Sequence, residues 1–129
     1  MSDPKSESRE RKRTMLQTAM GAEIAAAMAD PAVIEVMVNP DGALRLDRHG
    51  EGRVDTGIRM SPADVERIIR LVASHLRLEV HAASPIVSAE LPALGDGVAG
   101  ERFEGLLPPV ASAPCFAIRK PAARIHTLG

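Results

Sequence analysis

A chain of 129 residues, 45% hydrophobic and 26% charged, has the size of one domain and too many apolar residues for disorder throughout. A formal net charge of −1 and only two aromatic residues, Phe103 and Phe116, argue against a dedicated nucleic-acid binder, which needs a basic excess and exposed stacking surfaces. The single cysteine, Cys115, excludes an internal disulfide and a cysteine-based zinc site, and it points to a reducing compartment.

Residues 1–13, MSDPKSESRERKR, offer almost nothing to bury, and no apolar stretch follows their basic residues. They predict a disordered tail and no secretory signal. Over 14–29, Leu16, Met20, Ile24 and Met28 recur every four positions, the spacing of one amphipathic helix. Gly21 weakens that helix without needing to end it, whereas Asp30-Pro31 stops it, because proline disfavours helical geometry in the residue before it. The run at 24–29 is far shorter than the roughly 20 apolar residues of a membrane span.

Val33, Ile34, Val36 and Val38 then read as a strand closed by the turn Asn39-Pro40-Asp41-Gly42. Leu44 and Leu46 alternate with Arg45 and Asp47, the pattern of a strand with one wet face, and a third, short strand follows at 53–58. Ser61-Pro62-Ala63-Asp64 is a helix start: an oxygen to cap free N–H groups, a proline where no N–H is needed, and a negative first turn. Val65, Ile68, Ile69, Val72 and Leu76 line one side of that helix, which ends near 75–77. Strands are expected at 86–91, 102–107 and 115–119, with a flexible glycine-rich connection at 92–100. These elements predict an α+β domain over 14–121, with a mainly antiparallel sheet of about six strands and helices packed on it.

Little in the chain selects a chemistry. His49, His75, His81 and His126 form no metal-ligand spacing, and His75 and His81 read as exposed residues near a helix C-terminus. Cys115 reads as a small core residue, since nothing beside it would activate a thiol. Asp47, Asp55, Asp64, Glu90 and Glu104 select no acid–base pair. No GxxxxGK[ST] loop is present, and Gly95-Asp96-Gly97 lacks the lysine and the following helix that a phosphate loop needs. Arginine placement stands out instead. Arg102 opens one late strand and Arg119 closes another, beside Lys120, and a guanidinium anchored at a strand end can grip phosphate through its fork.

Six segments in order, at 33–42, 48–57, 60–75, 84–92, 101–110 and 116–121, together resemble the N-terminal domain of the VirB11-like type II and type IV secretion ATPases, in their conjugative-transfer branch. The resemblance implies a PAS-like α+β domain, with 122–129 as the start of a linker to an absent RecA-like ATPase domain. It implies a hexameric ring associated peripherally with the cytoplasmic face of the inner membrane, contacting secretion-channel proteins and using ATP and Mg2+. In that family the arginines of the ERFEG-type and IRKP-type segments approach nucleotide phosphate, which assigns the role to Arg102 and Arg119, with Lys120 assisting. The fragment alone would bind no cofactor and hydrolyse nothing. One departure is the long connection LPALGDGVAGE at 91–101, which would let Arg102 swing further than Arg119. Two other readings stay open: a docking and assembly domain whose arginines serve interfaces, and a nucleic-acid or ligand-binding module using the basic residues at 9–13.

Overall fold

In the computed structural model, which describes residues 4–92 and 100–121 (4–6 and 9 as backbone alone), the strands form one antiparallel sheet. They are β1 (Val33–Val38), β2 (Ala43–Arg48), β3 (Gly52–Arg59), β4 (Ile86–Glu90), β5 (Arg102–Leu106) and β6 (Cys115–Arg119). The spatial order is β3-β2-β1-β6-β5-β4, so β6 returns to pair with β1 at the centre and joins two hairpins into one surface. Helices α1 (Pro4–Met20), α2 (Ala22–Ala29) and α3 (Pro62–His75) supply the other layer.

Period-two alternation decides which strand residues meet the helices. Val36, Val38, Val87, Phe103, Phe116 and Ile118 are buried on the helical side. Leu16, Met20, Ile24 and Met28 close over them from α1 and α2, and Val65, Ile68, Ile69 and Val72 from α3. Both aromatics lie in this core, stacked with ring centroids 5.5 Å apart. Glycine at 105 leaves room for α3, because a Cβ there would stand 3.0 Å from the Ile69 side chain. The start of α3 follows its sequence signals: the Ser61 hydroxyl accepts a hydrogen bond from the Asp64 N–H at 3.1 Å.

Two expectations about the first helix fail. The predicted tail is helical from Pro4, and Arg13 at its end is buried rather than solvated. Its partner, Glu101, lies 88 residues away, beyond the reach of any local pattern. The rod also breaks at Gly21, whose φ of 97° lies outside helical space, so α1 and α2 are separate helices. The third strand is longer than expected, and Leu76 lies beyond the end of α3 at His75.

A bulge in β1 matters for the open face. Val33 pairs with Arg48 and Glu35 with Asp47, which leaves Ile34 as the extra residue. Val33 and Val36 can therefore both face the core, and Glu35 goes to the uncovered side. The turn after β1 is equally constrained: Gly42 has φ of 81°, and a Cβ there would stand 2.4 Å from the Met60 carbonyl oxygen. Gly42→Ala is expected to lose at least about 2 kcal/mol, because left-handed strain adds to a clash with backbone that cannot rotate away. A urea midpoint equal to that of the parent chain would contradict this.

Candidate functional site

The register of the sheet assembles one row of charge across its uncovered face. Reading from edge to edge, Arg53 pairs with Asp47, Asp47 with Glu35, Glu35 with Arg119, Arg119 with Arg102, and Arg102 with Glu90. Directly paired residues share a face, so all six side chains leave the same side of the sheet. Toward its β4 end two arginines stand opposite each other on β6 and β5, an arrangement that like-charge repulsion disfavours unless something anionic lies over it. Both are exposed.

The two arginines are held differently. One terminal guanidinium nitrogen of Arg102 donates to the Ser88 hydroxyl oxygen at 2.7 Å, and that hydroxyl donates in turn to Glu104 at 3.1 Å. Among the described residues the Arg119 guanidinium makes no hydrogen bond or ion pair. Neither Glu35 nor Glu90 closes to a salt bridge with its arginine neighbour. Both forks therefore retain donors directed at solvent, and a polyphosphate has the charge and acceptor geometry to engage them.

The long connection does not loosen Arg102 where the chain is described. The Leu91 N–H donates to the Glu101 carbonyl at 2.7 Å, one step beyond the Glu90–Arg102 pair. At Gly100 a Cβ would stand 1.8 Å from the Leu91 carbonyl oxygen, so the two arms of the hairpin touch at its mouth. The predicted loop residues 93–99, with the glycines at 95 and 97, lie outside the described residues, as do the linker at 122–129 and His126.

Lys120 is not brought to this face. It is 6% exposed, and its ammonium donates to the Asp30 carbonyl oxygen on the helical side. Its own N–H donates to Ile34 at 3.0 Å, at the β1 bulge. Alternation along the strand separates it from Arg119, and it anchors the chain where β6 ends. Nearby, Asp30 accepts from the Ala32 N–H at 2.9 Å and pairs with Arg48 at 3.2 Å. The Ala32 hydrogen bond, with Arg48 and Lys120 as further causes, holds the Asp30 carboxyl below its ordinary value of 3.8. A depressed folded pKa means stability present above that value and lost as pH falls through the folded one. Asp30→Asn should therefore destabilise the chain at neutral pH, with the gap in melting temperature closing below about pH 3.8. A gap independent of pH would contradict this.

Beside the charge row lies a shallow depression of about 230 Å³ whose walls include Glu35, Met37, Arg53, Glu104, Leu106 and Cys115. Met37 is buried here, on the side of the sheet away from the helices, which the sequence pattern did not reveal. Cys115 is half-buried on the same side rather than in the core, and burial pushes its thiol pKa up. A thiol so placed forms thiolate less readily than a free one, which makes it a poor nucleophile. Among the described residues no group of three or more His, Cys, Asp and Glu could hold a metal ion, and no helix is long and apolar enough to cross a membrane.

The fold is that of the N-terminal region of a VirB11-type protein. It matches the VirB11 ATPase of the Brucella suis type IV secretion system with a TM-score of 0.69 and 20% identity, over 93% of this chain and 33% of that one. The sequence narrows this further. Over 113 residues it is 44% identical to the conjugal transfer protein TrbB of Rhizobium radiobacter, and 45% identical to a probable TrbB of Sinorhizobium fredii. The chain is thus a relative of the N-terminal part of TrbB, and it spans about a third of the length of these proteins (33% of each, with 88% of this chain matched). No family model matches.

Proposed function

We propose that this chain is the domain of a ring-forming conjugative-transfer ATPase that presents Arg102 and Arg119 to the phosphates of ATP. The observation carrying the reading is the cross-strand arginine pair on the uncovered face, with neither guanidinium neutralised by a carboxylate among the described residues. The nucleotide would be gripped chiefly by a RecA-like domain outside this chain. Bound Mg2+ would add phosphate neutralisation there, held by groups other than those described here. The part of this chain is to fix two forks on a rigid sheet, so that negative charge developing on transferred phosphate meets donors already in place.

Six copies would assemble the site, with opening and closing between domains coupled to work on a secretion channel at the inner membrane. The relation to TrbB and the VirB11-like fold support that setting. The reading is tested by comparing Arg102→Ala and Arg119→Ala in the protein that carries this domain together with its ATPase domain. Both should lose ATP turnover while rings persist on a sizing column. A second reading, an assembly domain without a role at the nucleotide, is favoured by the extension of the charge row to Arg53 and Glu90, beyond the arginine pair. It requires the opposite outcome: rings lost, and turnover per remaining ring retained.

A further inference from the structure

We propose that Arg13 is a positioning residue for Arg102, acting from helix α1 through the buried carboxylate of Glu101. The inference rests on the phosphate reading of Arg102 and adds the group that holds it in place. Arg13 meets Glu101 fork to fork, at 2.8 Å and 2.6 Å, and donates from the same guanidinium to the Pro92 carbonyl at 2.7 Å. Glu101 precedes β5, and Pro92 follows β4 by two residues. One side chain thus clasps both arms of the hairpin at its mouth and ties them to α1.

The consequence for Arg102 follows from strand geometry. Neighbouring residues leave opposite faces of a sheet, so fixing Glu101 beneath the sheet fixes the side chain of Arg102 above it. Arg102 needs such a hold more than Arg119 does. Strand β6 runs between β1 and β5, whereas β5 is flanked on its outer side only by the edge strand β4. Stability alone would not choose this arrangement. Glu101 is fully buried, Arg13 is 7% exposed, and the Arg13 Nε is buried without a hydrogen-bond partner. A buried ion pair of this kind is commonly matched or bettered by apolar residues of equal volume, but those have no directional fork.

The test uses this chain, ¹⁵N-labelled, titrated with inorganic tripolyphosphate at low ionic strength while the Nε–Hε signals of Arg102 and Arg119 are followed. In the parent chain both signals should move together. Arg13→Lys keeps the charge and loses the fork, and affinity should weaken at least about three-fold, the shift at Arg102 shrinking while that at Arg119 persists. Arg13→Met combined with Glu101→Leu guards against unfolding and should show the same selective loss at an undiminished melting temperature. Unchanged affinity and unchanged Arg102 shifts in both variants would overturn the proposal, leaving Arg13 a weld of the fold and nothing more. Absence of tripolyphosphate binding in the parent chain would overturn the premise that these two forks engage phosphate from this sheet alone, a failure visible before any variant is made.

Discussion

Arg119→Ala is expected to lower ATP turnover of the domain-plus-ATPase protein by about 100-fold or more, the scale set by removing a preorganised donor from a developing phosphate charge. Arg119 ends the central strand β6, with β1 on one side and β5 on the other, so its backbone is held from both flanks. Among the described residues no partner competes for its guanidinium, so no such contact would have to be broken before phosphate is bound. One terminal nitrogen of Arg102 is already engaged by Ser88, so Arg102 would bring fewer uncommitted donors to phosphate, and Arg102→Ala should therefore cost less than Arg119→Ala. Arg119→Lys keeps a charge without the fork and should fall between parent and alanine variant. The fold should be indifferent to Arg119→Ala. The side chain is exposed, its loss relieves a like-charge pair, and stability should stay within about 0.5 kcal/mol of the parent or rise slightly. Steady-state turnover beside thermal melting checks both halves, and unaltered turnover would remove Arg119 from the mechanism.

Arg13→Ala should produce the largest loss of stability, about 3–5 kcal/mol, because it strips a fully buried carboxylate of its bidentate partner. The damage spreads beyond the pair. The clasp on Pro92 goes too, and α1 loses its side-chain bond to the hairpin mouth while keeping Leu16 and Met20 in the core. The first turns of α1 should then fray, a change that denaturant unfolding and hydrogen exchange at 4–13 would detect. Arg13→Met with Glu101→Leu should recover the loss in full, since it removes both charges of the pair instead of one. Equal stability of Arg13→Ala and the parent would show that the burial of this pair has no energetic consequence.

The sequence revealed most where structure is local. Ser61 and Pro62 mark the start of α3, Val36 and Val38 the core side of β1, and Pro40 with Gly42 the first turn. What it concealed depends on contacts distant along the chain. Arg13 reads as a solvated residue until Glu101 is seen beneath it. Ile34 sits in a run of apolar residues that gives no hint of a bulge, and without that bulge the face taken by Glu35 could not be assigned. Gly21 lies in a good helical period, and only its positive φ shows that the period is carried by two helices.

The site divides in the same way. Strand-end placement singled out Arg102 and Arg119, and the register then made them direct neighbours, which no spacing in the sequence could state. Lys120 was grouped with them by adjacency alone, and alternation along the strand sends it to the other face, against Asp30. Met37 shows the converse: its apolar side chain is buried on the open side, at the depression beside the charge row.

The most direct measurement is a structure of the assembled ring, domain and ATPase together, with a non-hydrolysable ATP analogue bound. If this sheet lends its paired guanidinium groups to catalysis, nitrogens of Arg102 and Arg119 will lie within hydrogen-bonding distance, about 2.7–3.0 Å, of phosphate oxygens. Nucleotide bound in every subunit, with both side chains turned to carboxylates of the same sheet or of a neighbouring copy, would contradict it.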